Sequence, residues 1–237
     1  MRSIAILLLA ACLSGCKEDP LKVITSKTVD FYIADTCVKA VQFLAIDKYY
    51  SDYPIYYIGH RSDTIKIGKR YWRGCTPWVD NFLLPCNWQY SDKTLSIIVD
   101  TSIKTNSPVE YFSDDPQIVK DSTINYHSFL LTIRNISDSL IYMGRTFSLF
   151  LIHREAKNKN GEWIKIDKNL REIGICGTGE PTIILKPNEI IVSKVKRYKG
   201  DFVTDFRLVF GYGDNVVYSN IFKDSIDQRT LDNQIGE

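Results

Sequence analysis

Aromatic rings and thiols crowd one stretch of this chain. Tyr71, Trp72, Cys75, Trp78, Phe82, Cys86, Trp88 and Tyr90 fall within it, and it holds three of the four tryptophans. Flat rings on a stiff loop suit stacking on sugar faces or anchoring a partner protein. A Cys75–Cys86 bond is the most local pairing that would stiffen it. The competing expectation is an apolar plug packed beneath that loop, and exposure of at least one tryptophan separates the two.

Cys16 stands apart from the other thiols. Met1-Arg2 is a short basic start and Ile4 to Ala11 is unbroken apolar sequence. That run is about half the ~20 residues a membrane-spanning helix needs. Leu13-Ser14-Gly15-Cys16 follows and resembles the lipobox of bacterial lipoproteins. The resemblance implies that residues 1–15 are a removed signal peptide and that Cys16 is acylated, anchoring the protein to a membrane. Several acyl chains hold firmly where one is marginal, at about 0.8 kcal/mol per buried CH₂. Lys17-Glu18-Asp19 resembles the tag that sends lipoproteins of Bacteroidota to the outer face of the outer membrane. Residues 16–27 read as a lipidated tether.

Cys37, Cys75, Cys86 and Cys176 then remain. Outside the cytosol an even number suggests disulfides, in any of three connectivities. Pairing Cys75 with Cys86 leaves Cys37 with Cys176, and closing the shorter loop contributes roughly 3 kcal/mol. The spacing has no CxxC pair, which weighs against zinc.

Other chemistry is hard to find. No nucleophile elbow, phosphate loop or zincin helix is present, and Gly174-Ile175-Cys176-Gly177-Thr178-Gly179 lacks the G-x-G-x-x-G order. We expect no catalytic residue, no metal site and no cofactor. Cys176 near His127 or His153 would be the thiol candidate, but half of a disulfide in a loop fits better. His60 reads as a turn residue, while His127 and His153 read as hydrogen-bonded strand histidines near the core. Asp114-Asp115 lacks the spacing of a calcium loop. Glycosidase carboxylates come from distant strands and leave no local signature; two facing carboxylates about 5–10 Å apart would reveal them.

The elements that must position these groups read as strands. Thirty basic against 28 acidic side chains give a net charge of +2, with no basic block, so nucleic acid is not an expected partner. Fourteen tyrosines against two methionines favour pleated surfaces. Short strands are predicted at 30–33, 54–58, 64–67, 95–100, 109–112, 126–134, 140–143, 147–153, 163–166, 182–185, 190–196, 206–210 and 216–218. Within 126–134, Phe129, Leu131 and Ile133 alternate with Ser128, Leu130, Thr132 and Arg134, giving one apolar and one mixed face, as a two-layer sandwich requires. Asn158-Lys159-Asn160-Gly161 and Leu185-Lys186-Pro187-Asn188-Glu189 read as turns. Val38 to Tyr50 is the only helix-like stretch.

A faint repeat runs through the pattern. Ile58 precedes Ser62-Asp63-Thr64 by four residues, as Ile133 precedes Ser137-Asp138-Ser139, and both read as strand, Ser-Asp turn, strand of a hairpin. It suggests two related β units, at 28–117 and 118–225, before a tail at 226–237. Strand count and spacing from 118 to about 222 resemble an immunoglobulin-like sandwich. Gly144, Trp163, the 185–189 turn and Tyr218-Ser219-Asn220 are similar to envelope proteins of Bacteroidota, a likeness that implies no activity. Asp63-Thr64-Ile65, Asp121-Ser122-Thr123, Asp138-Ser139-Leu140 and Asp224-Ser225-Ile226 resemble the O-glycosylation acceptor of that lineage.

The fold class expected is mainly β, an antiparallel immunoglobulin-like β-sandwich. The function expected is a lipid-anchored, non-catalytic binding or interaction module of the cell envelope, more a binder than an enzyme, meeting a glycan or an envelope protein through Tyr71, Trp72, Trp78, Trp88 and Tyr90. The rivals are an envelope hydrolase and an inhibitor or accessory subunit.

Overall fold

The computed structural model describes residues 21–25, 31–36, 42–43, 53–67, 87–111, 122–145, 148–167 and 182–233. It is mainly β, with strands in several antiparallel sheets arranged as a sandwich. One sheet has the order β3 (Tyr57–His60), β11 (Glu189–Lys196), β6 (Ser122–Asn135), β5 (Leu95–Tyr111). The facing sheet runs β13 (Asn215–Tyr218), β12 (Phe202–Tyr212), β8 (Ile152–Lys157), β9 (Trp163–Lys165), and β14 (Phe222–Ile226) shares an edge of β12 with β13. The pair β7 (Ile141–Arg145) and β10 (Thr182–Leu185) adds to the same core.

Side-chain alternation explains how the sheets meet. Phe129, Leu131 and Ile133 of β6 and Ile191 and Val195 of β11 pack with Ile152 and Ala156 of β8 and Phe206, Leu208 and Phe210 of β12. The mixed face of β6 is not left to water. Leu130 joins Ile190 and Val192 in a second apolar cluster with Phe31, Ile33, Ile65 and Ile67. Those last residues belong to, or flank, a small third sheet of β1 (Leu21–Thr25), β2 (Tyr32–Thr36) and β4 (Thr64–Lys66). The sandwich therefore carries an extra layer, and β6 and β11 are buried on both faces. Polarity alone hid this layer, because Ser128 and Thr132 are tolerated there while only 1% and 6% exposed.

Lys194 fastens the third layer. Its side chain leaves β11 on the small-sheet side, where Nζ donates to both oxygens of Asp35 at 3.0 Å and to the Asn106 carbonyl at 2.7 Å. Burial lowers the Lys194 pKa, although Asp35 opposes that fall.

Several expectations change. Residues 21–25 read as tether but pair along their length with β2. The strands expected at 95–100 and 109–112 are one strand, broken in register between Asp100 and Lys104. There Asp100 Oδ1 accepts from the Ser102 amide and hydroxyl, and the irregularity puts Ile103 in the second cluster. The strand expected at 147–153 starts later, at Ile152. The region read as a tail contains the end of β14 and a helix, α1 (Gln228–Asn233), beyond the one helix-like stretch expected. Of that stretch, 38–50, only Gln42 and Phe43 are described.

The two Ser-Asp segments are not hairpins. β3 pairs with β11 while β4 pairs with β2; β6 pairs with β5 and β11 while β7 pairs with β10. Each turn is a corner at which the chain changes sheets. The second corner is organised by Asn135, whose amide donates to the Ser139 and Leu185 carbonyls while its oxygen accepts from Ser137. The repeat has a spatial counterpart, since Ile58 and Ile133 pair with Ile191 from opposite edges of β11. Strands from both sides of residue 118 thus share one sheet.

Candidate functional site

Residues 87–91 form a loop held at one end of the sandwich by strands far away in sequence. The Asn87 amide donates to the Leu140 carbonyl at 2.7 Å, and the Asn87 carbonyl accepts from the Tyr142 amide at 3.2 Å. Asn215, which opens β13, completes the hold. Its oxygen accepts from the Tyr90 amide at 2.6 Å and its Nδ2 donates to the Trp88 carbonyl at 2.5 Å. One side-chain amide thereby stands in for a paired strand.

Trp88 sits on this frame with 49% of its surface exposed. Its ring lies on that of Tyr142, centroids 3.9 Å apart and planes 23° from parallel. Tyr142 is itself buried, so the tryptophan has a firm backing and one open face. Tyr212, 43% exposed, pairs with Asn215 in the β12–β13 hairpin, so both side chains leave on the same face.

Tyr90 is corrected to a core residue. It is 4% exposed, meets Phe210 edge-on at 5.0 Å, and its hydroxyl donates to the Tyr142 carbonyl at 2.9 Å. It fixes the loop and offers no face to a ligand. Gly211 makes room for it. At φ +121°, a Cβ there would lie 2.1 Å from the Asn215 carbonyl oxygen and 3.1 Å from the Tyr90 ring. Tyr71, Trp72, Cys75, Trp78 and Cys86 lie outside the described residues, as do Cys16, Cys37 and Cys176.

The outer face of the β13-β12-β8-β9 sheet carries a second aromatic group, one absent from the sequence reading. The Arg207 guanidinium lies between the rings of Trp163 at 4.3 Å and Tyr218 at 4.1 Å, and its Nε donates to Glu155 at 2.6 Å. Cross-strand register explains it, since Arg207 pairs with Glu155 of β8. These partners all belong to one sheet, so the group stiffens that face.

The histidines do not converge. His60 is exposed at the end of β3, His127 packs on Phe43 at 4.6 Å, and His153 Nε2 lies 3.7 Å from Glu155. Among the described residues, no three His, Cys, Asp or Glu side chains are grouped to hold a metal ion.

Three of the buried carboxylates, Asp35, Asp167 and Asp224, are engaged by cations. Asp35 meets Lys194, and Asp224 Oδ1 accepts from Nε and Nη2 of Arg197. Asp167 lies among Arg154, Tyr53 and Tyr198 inside the core. It accepts from the Arg154 amide and from the Tyr53 hydroxyl at 3.0 Å, and the Arg154 guanidinium stands over the Tyr198 ring. Burial raises both phenols, keeping them protonated as donors. Burial also raises Asp167, against the pull of Arg154.

No known family model, curated protein or solved structure matches the chain.

Proposed function

We propose that this is a lipid-anchored protein of the bacterial outer envelope whose β body is a non-catalytic binding module, with Trp88 as its contact residue. The observation that carries the reading is the posture of Trp88: half exposed, backed by buried Tyr142, and fixed through its carbonyl by Asn215. A ring already held in place loses little freedom when a partner covers it, which favours binding. Its open face suits the C–H face of a sugar ring or an apolar side chain of an envelope protein. The commitment of Asp35, Asp167 and Asp224 to cations supports a scaffold role for those acids. The address is the Leu13–Cys16 lipobox, with outward display suggested by Lys17-Glu18-Asp19.

The test is an array of immobilised bacterial and host oligosaccharides, with pull-down from envelope extracts, using the wild type and Trp88→Ala. The expected result is a bound species whose affinity falls about tenfold or more in the variant, a change of roughly 1.4 kcal/mol, with the variant still unfolding in one cooperative urea transition. Binding that is equally strong in Trp88→Ala, or no binding by either method, overturns the proposal.

A further inference from the structure

The first strand begins close to the anchor. Only Lys17 to Pro20 separate Cys16 from Leu21, the first residue of β1. A fully extended chain spans about 3.3 Å per residue, so the strand starts within roughly 17 Å of the acylated residue. β1 pairs along its length with β2, and β2 with β4, so a tether this short holds the whole small sheet near the lipid headgroups.

One face of that sheet is turned inward. Ile33 and Ile65 are 0% and 1% exposed and pack on β6 and β11 through the second apolar cluster. On the alternate positions Tyr32 pairs with Thr64 and Ala34 with Lys66; Tyr32, Thr64 and Lys66 are exposed, whereas Ala34 is only 3% exposed. Tyr32 is 49% exposed, as much as Tyr218 on β13 at 48%. A tyrosine ring settles at headgroup level, and a lysine nearby is attracted to anionic phosphates by about 1 kcal/mol.

We infer that the exposed face of the small sheet, carrying Tyr32 and Lys66, rests against the phosphate-bearing surface of the membrane that holds Cys16. The inference rests on the anchoring reading above. It has a consequence for Trp88, which is held by β7 and β13; neither strand contributes to the cluster beneath the small sheet. With the small sheet toward the lipid, the tryptophan stands in a layer away from it, open to partners.

The test is hydroxyl-radical footprinting of the full-length acylated protein in vesicles of phosphatidylethanolamine and phosphatidylglycerol. The comparison is a variant with a Gly/Ser spacer of about 20 residues inserted before Pro20, whose mean span is roughly 25 Å. Tyr32 should be oxidised severalfold more slowly in the parent than in the spacer variant, while Trp88 reacts equally in both. Lys66→Glu should restore part of the Tyr32 reactivity. Equal Tyr32 oxidation with and without the spacer, in protein whose intact mass shows acyl chains, overturns the inference alone. Protection of Trp88 together with Tyr32 also overturns it. An intact mass without acyl chains overturns the anchoring reading and this one with it.

Discussion

Arg154 and Glu155 are neighbours in β8 whose side chains leave by opposite faces, Arg154 into the core beside Asp167 and Glu155 outward to Arg207. The carboxylates that meet the two faces of this strand, Asp167 and Glu155, consequently respond to pH in opposite senses. Burial raises Asp167 above its ordinary 3.8. Its folded form holds the proton more tightly than the unfolded chain does. That contribution to stability is whole below the unfolded pKa and fades as pH rises through the folded one. For Glu155 burial is outweighed by the nearby His153 imidazole at 3.7 Å and by the hydrogen bond and charge of Arg207, and the pKa falls below 4.5. Its contribution is present above the unfolded pKa and is lost as pH falls through the folded one. Urea titrations across the acid range should show Asp167→Asn removing a loss of stability on the alkaline side. Glu155→Gln should remove a loss on the acid side.

Breaking the core pair should be worse than removing it. Asp167→Ala strands the Arg154 guanidinium, which is 3% exposed and has no described partner for Nη1. A loss of about 3–5 kcal/mol is expected. Replacing both, as Arg154→Met with Asp167→Leu, should cost less than the single change. Urea midpoints of the three variants decide it; a double variant weaker than Asp167→Ala contradicts the assignment.

Asn215 should matter more to the loop than its distance in sequence suggests. Asn215→Ala removes the acceptor of the Tyr90 amide and the donor to the Trp88 carbonyl. The expected loss is about 1–3 kcal/mol. Hydrogen exchange at the Tyr90 amide should accelerate, while exchange at Leu131 in the core stays slow.

Gly211→Ala should act on the same loop from below. The added methyl meets the Asn215 carbonyl at 2.1 Å on a backbone of φ +121°. Strain of this kind costs on the order of 1–3 kcal/mol. Ligand binding through Trp88 should weaken in step with faster exchange at Tyr90. Gly213→Ala, at φ +56° with nothing within 4 Å of the added carbon, should leave binding unchanged.

The β6 pattern was legible because a period of two states which residues share a face. It is silent on partners, so a Ser-Asp turn that changes sheets looks in sequence like a hairpin. The turns at 158–161 and 185–189 were readable because their chemistry is local, with Asn158 accepting from Asn160 and Glu162 and Asn188 at φ 62°. The strand β1 was hidden behind Lys17-Glu18-Asp19-Pro20, whose polarity reads as tether. β14 was hidden by Asp224, an acid buried against Arg197 where alternation predicts an apolar residue. Trp88 stood out by composition, whereas its positioning residue Asn215 is 127 places away and carries no local signal. Arg207 was missed for the same reason, since its neighbours come from β8, β9 and β13.

The most direct measurement of the account is incorporation of radiolabelled palmitate into the expressed protein, followed by membrane fractionation. Labelled wild type in the membrane fraction, with Cys16→Ala unlabelled and released from it, is the predicted result. An unlabelled wild type, or a Cys16→Ala variant that still sediments with membranes, would contradict it.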